Sequence, residues 1–251
     1  MSQPIAIIPA AGLGTRMRPT TDYIPKELIP IWKKPAIMHS IEEAESLGIK
    51  DIRVVSSESK RESISWCIQN RASILIQEKM LGLCDAVYVG CDGKVPDGGA
   101  FVLLPDEYIP GGLYALSKAK ANILVMSIPE SERSKYGMIS SEGNKIIEVK
   151  EKPKLPCGLE NGIIGRYYFD DDFLRFLFRC AEGHRSDWRI QEMSLTPVFN
   201  EYRKGLLCHH WNGIRYDMGT HSGWIKAFVR ESLNDCSEND LSELKEILSE
   251  G

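Results

Sequence analysis

The chain has 251 residues, 43% of them hydrophobic, and a formal net charge of −4. That length suits one large domain with a sizeable core, and the mild acidity speaks against a nucleic-acid binder, which carries a basic excess, without excluding phosphates held by a local cluster of cations. Seven cysteines without a Cys-x-x-Cys spacing disfavour a zinc site or disulfide framework and fit a reducing cytoplasm; no stretch reaches membrane-spanning length and no charged leader precedes the first apolar run.

Residues 5–8, rich in Ile, form a run too short for a helix and suited to a buried parallel strand. A helical pattern follows Pro35, with Ile37, Ile41, Ala44 and Leu47 on one face and Gly48 as its stop. Strands are expected at 51–56, 74–76 and 101–104, with helices at 59–70 and from Ala86 to Gly90. Strands alternating with helices predict an α/β fold with a doubly wound, mostly parallel sheet, its ligand lying beyond the carboxyl ends of the strands. The middle of the chain differs: strand-like runs at 123–128, 137–140, 146–149 and 163–169 are separated in several places only by turns, which suggests a small antiparallel addition carrying a second substrate. Helices at 171–180 and 191–204, a strand at 206–211, a turn at 216–220 and a helix at 221–233 complete the order. In the segment 240–248, Leu241, Leu244, Ile247 and Leu248 share one face, with Asp240 as the cap. The expected organisation is a single domain, 1–251, with a first part about 1–120, a second about 121–220 and a helical end about 221–251.

The stretch that organises this chain runs from Pro9 to Pro30. Ala10, Ala11, Gly12 and Gly14 carry little or no side chain, as a backbone approaching a phosphate requires. Arg16, Arg18 and Lys26 follow, so small-residue turns and three cations together suggest a triphosphate cradle. Two other phosphate motifs fail on spacing. Met17 stands where a dinucleotide fold needs its third glycine, and no Gly-Lys-Ser/Thr follows. Asp106 comes directly after the apolar strand at 101–104, where a carboxylate faces the crevice and can hold Mg²⁺. Taken alone it would be an ordinary Pro-Asp turn. Asp217 lies in an Asp-x-Gly turn before a helix, which alone would be a capping turn. His209 and His210 are adjacent on a strand and point to opposite faces, so they share no metal.

Ala11–Arg16 (Ala-Gly-Leu-Gly-Thr-Arg) and Pro25–Pro30 (Pro-Lys-Glu-x-x-Pro) together resemble the opening of the sugar-1-phosphate nucleotidylyltransferases, most nearly the bacterial UTP–glucose-1-phosphate uridylyltransferases. The resemblance implies a Rossmann-like fold and formation of an NDP-sugar and pyrophosphate by in-line attack at the α-phosphorus. UTP and glucose 1-phosphate are favoured, with dTTP or CTP and another phosphorylated acceptor as the alternative, or a non-catalytic nucleotide-sugar binder of the same fold. It implies Arg16 and Lys26 as catalytic cations, Asp106 and Asp217 as Mg²⁺ ligands, and Ala11, Gly12, Gly14, Thr15, Gln77 and Gly82 around the nucleotide. Gly137, Glu151, Lys152 and Ile164 would hold the sugar phosphate; a solvated charge run competes for Glu151 and Lys152, and their position relative to the other motifs favours the sugar-phosphate reading. The attacking phosphate is already an anion and needs no general base. The likeness weakens at 82–86. Cys84 and Asp85 replace the family's glycine and histidine near the base, and Asp85 could instead cap the following helix. The apolar stripe at 241–248 either packs on its own domain or pairs with another copy, and the resemblance favours a homo-oligomer.

Overall fold

The computed structural model describes residues 3–186, 192–202 and 205–249, apart from the side chains of residues 244, 245 and 247–249. Strand β1 (Ile5–Pro9) leads through a long loop to a hairpin of β2 (Pro30–Ile31) and β3 (Lys34–Pro35), then to α1 (Ala36–Ser46). Pro35 is the residue before the first helical turn, and Gly48, at φ 76°, ends the connection as its missing Cβ allows. Next come β4 (Ile52–Ser56), α2 (Arg61–Ile68), β5 (Ser73–Ile76), α3 (Leu83–Gly90) and β6 (Ala100–Leu103). These pair in parallel: β1 lies between β4 and β6, and β5 flanks β4. The short β7 (Glu107–Tyr108) is followed by α4 (Gly112–Ala119). Two glycines open this segment and disfavour a helix; burial of Leu113 and Leu116 against the sheet outweighs their cost.

The antiparallel addition contains β8 (Ile123–Ser127), β9 (Gly137–Glu142), β10 (Lys145–Glu151) and β11 (Asn161–Phe169). It is continuous with the parallel part. The last four residues of β11 pair with β6 and its first two with β9, so one strand stitches the halves into a nine-stranded sheet. Helices α5 (Asp171–Ser186) and α6 (Leu195–Glu201) follow. The expected helix at 191–204 is therefore shorter at its described end, and Gln191, Arg203 and Lys204 lie outside the described residues. Strand β12 (Cys208–His210) joins β8 in parallel, β13 (Tyr216–Asp217) pairs with β7, and α7 (His221–Ser232) and α8 (Glu238–Ser249) close the order. Asp240 does not begin α8. Ser237 caps it, and the Asp240 carboxylate returns to the Ser237 N–H at 3.0 Å, a reciprocal box. Of the expected stripe, Leu241 is half-buried and the side chains of Leu244, Ile247 and Leu248 lie outside the described ones.

The alternation of β1 divides the core. Ile5 and Ile7 face α3 and α5, packing with Val87, Phe173 and Leu177, while Ala6 and Ile8 face α1 and α4 with Ile37, Ile41 and Leu113. Helix α7 folds back over the loop after β1: Trp224 Nε1 donates to Pro30 O at 2.9 Å, and Trp32 Nε1 to Asp235 Oδ2 at 2.9 Å. Among the described residues no helix is long and apolar enough to cross a membrane.

Candidate active site

The loop after β1 starts at the carboxyl edge of the sheet, and a lysine shapes it from below. Lys60 Nζ donates to Ala10 O at 3.1 Å, to Gly12 O at 2.5 Å and to Glu27 Oε2 at 2.9 Å. In a trans peptide the N–H points opposite to the carbonyl before it. The N–H groups of Ala11 and Leu13 are thus turned away from Lys60, as an anion cradle requires. Gly14 holds φ 69°, and a Cβ there would lie 3.0 Å from Thr21 Cγ2. Thr21 Oγ1 donates to Gly14 O at 2.9 Å and fixes the bend before the 3-10 turn that begins at Thr15. Gly12 leaves room beside Lys26, whose Nζ would stand 3.7 Å from an added Cβ.

Lys26 Nζ lies 2.6 Å from Asp106 Oδ2 and 4.0 Å from Glu27 Oε1. Burial alone would lower the Lys26 ammonium, but Asp106 and Glu27 more than offset it and the group stays above its ordinary value. Burial would raise the Asp106 carboxyl, and Lys26 with Arg16 holds it below its ordinary value instead. Glu27 is 0% exposed; there burial prevails over Lys26 and Lys60, and the carboxyl sits above its ordinary value.

Asp217 arrives from the other end of the chain by a two-residue ribbon. Its strand β13 pairs with β7 so that Asp217 faces Glu107, and Met218 N donates to Asp106 O at 2.8 Å. The Asp217 Oδ1 accepts from Gly219 N at 2.8 Å, while Oδ2 is 3.3 Å from Arg16 Nη1. The capping reading fails here, because Thr220 caps α7 through Gly223 N at 3.1 Å. A Cβ on Gly219 would stand 2.5 Å from Arg16 Nη2, so a side chain there would displace the guanidinium from its place beside Asp217. Below the pair, Arg215 holds both Glu107 oxygens at 2.5 and 2.6 Å and donates to Tyr136 Oη at 2.9 Å. Asp106 and Asp217 are the hard oxygen donors that Mg²⁺ takes, and each already faces a cation. Among the described residues no group of three His, Cys, Asp or Glu side chains could hold a metal, so ligand oxygens would complete the shell of one placed there.

The antiparallel side brings Gly137, Glu151 and Thr196 together. Thr196 Oγ1 donates to Glu151 Oε2 at 2.6 Å, and a Cβ on Gly137 would lie 3.5 Å from that oxygen. Lys152 has φ 41°, its N–H donates to Tyr136 O at 3.0 Å, and its side chain is 65% exposed. Ile164 is fully buried in the core beneath, so its side chain faces Ile37 and its neighbours rather than the cleft. Only its backbone is available to a ligand.

At the other end of the cleft, Gln77 follows β5 with its N–H on Ser56 O at 2.8 Å. Its Nε2 donates to Gly82 O at 3.1 Å and to Asp85 Oδ2 at 2.7 Å. Gly82, at φ 90°, could not carry a Cβ, which would meet Met193 O at 2.5 Å. The two residues that depart from the expected pattern do not behave as the sequence suggests. Cys84 is fully buried in the core with Val87, and burial pushes its thiol up to about 12. Asp85 sits inside α3, 2% exposed, and does not cap it. Lys60, Glu27, Thr196 and Arg215 carry no motif of their own in the reading of the sequence, although Glu27 stands inside the Pro-Lys-Glu triplet.

A family model described as nucleotidyl transferase matches residues 5–232. The UTP–glucose-1-phosphate uridylyltransferase of Bacillus subtilis strain 168 is 31% identical over 92% of this chain and 91% of that protein. Its namesake from Staphylococcus epidermidis is 29% identical over 92% of both. A solved UDP-glucose pyrophosphorylase complexed with UDP-glucose superposes with a TM-score of 0.75 at 25% identity, covering 92% of this chain and 99% of that one.

Proposed function

We propose that this chain, which belongs to the nucleotidyl transferase family, joins UTP and glucose 1-phosphate to give UDP-glucose and pyrophosphate. The observation that carries the reading is the convergence of Lys26–Asp106 and Arg16–Asp217 above the glycine loop, fixed by the β7–β13 ribbon. The relatives' names supply the substrates.

An oxygen of the sugar phosphate attacks the α-phosphorus, a new P–O bond forms, and the bond to the bridging oxygen of the pyrophosphate breaks with its electron pair leaving on that group. Glu151 and Lys152 hold the incoming sugar phosphate, Glu151 through sugar hydroxyls. The N–H groups of Ala11 and Leu13, with Thr15, cradle the triphosphate. Arg16 and Lys26 face the charge that grows on the α-phosphate and the departing group, and Lys26, held on Asp106, stands in place before reaction, which is where such stabilisation is greatest. Asp106 and Asp217 would hold Mg²⁺, which would supply positive charge against that build-up. A cytoplasmic setting fits seven unpaired thiols.

The test is a matrix of nucleoside triphosphates against sugar 1-phosphates with Mg²⁺, read by pyrophosphate release. The expected maximum is UTP with glucose 1-phosphate. A maximum at another pair corrects the substrates, and silence across the matrix with retained UDP-glucose binding makes the chain a binding protein.

A further inference from the structure

Asp85 is a carboxylate that the proposed chemistry does not use, 2% exposed on a helix whose neighbours there are Cys84, Ala86 and Val87. A buried charge persists when both its oxygens are answered. Arg185 Nε donates to Oδ1 at 2.5 Å, and Gln77 Nε2 donates to Oδ2 at 2.7 Å. The Arg185 guanidinium also lies over the Tyr88 ring at 4.8 Å, which holds it on the outer side of Asp85.

The contact with Asp85 decides which way the Gln77 amide faces. An ionised carboxylate and the Gly82 carbonyl can only accept hydrogen bonds, and both lie within reach of the same Gln77 atom. That atom must be the NH₂ nitrogen. Gln77 Oε1 is therefore turned away from both, and it accepts no hydrogen bond among the described residues. Gln77 stands at the carboxyl edge two strands from β1, about 10 Å across the sheet from the glycine loop at about 4.8 Å per strand. A nucleotide with its phosphates on that loop brings the edge of its base to this range.

We propose that the Arg185–Asp85 pair locks Gln77 with its carbonyl oxygen toward the nucleobase, making Asp85 a positioning residue that selects pyrimidines with an imide N–H. Uracil and thymine offer that donor; cytosine presents an acceptor nitrogen at the same position and meets lone pair with lone pair. The proposal rests on the nucleotidyl-transfer reading above.

The first arm uses the unaltered protein and isothermal titration with UTP, 3-methyl-UTP and CTP, without sugar phosphate. UTP should bind about tenfold or more tightly than either, the worth of one hydrogen bond to a fixed acceptor. Equal binding of UTP and 3-methyl-UTP overturns the proposal. The second arm is Asp85→Asn, whose amide can turn to donate as well as accept and so lets Gln77 flip. The UTP-to-CTP ratio should shrink about tenfold in both Kd and kcat/KM, while kcat with the better nucleotide moves less. An equal loss for both nucleotides shows a structural role and overturns the lock. A variant that fails to fold leaves the first arm decisive. A UTP preference in titration with no pyrophosphate release in any pairing counts against the proposed chemistry and not the lock; binding of no nucleotide overturns both.

Discussion

On the parallel side of the cleft Lys26 is 16% exposed and lies 2.6 Å from Asp106, whereas on the antiparallel side Lys152 is 65% exposed and lies 3.7 Å from Glu151. The first pair is half-buried, braced by Glu27 and Lys60 beneath, and holds its geometry without substrate. The second stands in water, where such a pair contributes about 0–1 kcal/mol, and its lysine can follow what arrives. The contrast teaches a division of labour. On the proposed chemistry Lys26 meets a fleeting transition state and is set in place beforehand, because reorganising it during reaction would forfeit its benefit. Arg16, 58% exposed and 3.3 Å from Asp217, is not braced in this way. A charge that only captures an anion does not need that stiffness.

The comparison breaks most readily at the carboxylates. If they hold Mg²⁺ as proposed, Asp106→Asn and Asp217→Asn should each lower turnover on the order of 10³-fold or more, as expected when one charged metal ligand is lost. Pyrophosphate release at saturating Mg²⁺ checks this, and a near-normal rate would remove that residue from the site. Next is the brace. Lys60→Met leaves Glu27 buried without its hydrogen-bonded cation and should lower unfolding free energy by about 3–5 kcal/mol in urea titrations. Adding Glu27→Leu should return part of the loss, and an unchanged midpoint for the single variant would show that Lys60 is no brace. Lys26→Ala and Arg16→Ala should reduce kcat by about 10²–10³. On the loose side, Lys152→Ala should raise the KM for sugar phosphate about tenfold with kcat little changed, the behaviour of a contact made equally in ground and transition states. A fall in kcat with constant KM would place Lys152 among the preset charges and erase the distinction.

The stiff half was the more legible in the sequence. Its parallel strands are short Ile- and Val-rich runs, and its loop needs small residues at fixed places, so residue type alone marks both. Asp106 could be placed because it follows its strand directly. Lys60 could not, since it sits in Ser-Glu-Ser-Lys, which reads as an exposed helix start; its burial comes from the loop folding onto it. Arg185 and Asp85 lie 100 positions apart, and nothing local to either announces the other. Cys84 misled for a related reason: proximity to the base in sequence says nothing about which face of a helical turn a side chain takes. Thr196 reaches Glu151 only because α6 docks beside β10, with Asn200 bridging the Val149 backbone at 2.9 and 2.8 Å.

The ribbon of β7 and β13 also bears on how the enzyme comes into being. Arg16 and its carboxylate are 201 residues apart, and synthesis at about 5–20 residues per second separates their appearance by roughly 10–40 s. In the later part of that interval, once residue 106 has been added, the nascent chain has the glycine loop, Lys26 and Asp106 but no second carboxylate. On the proposed chemistry, a product halted on the ribosome before residue 217 should release no pyrophosphate.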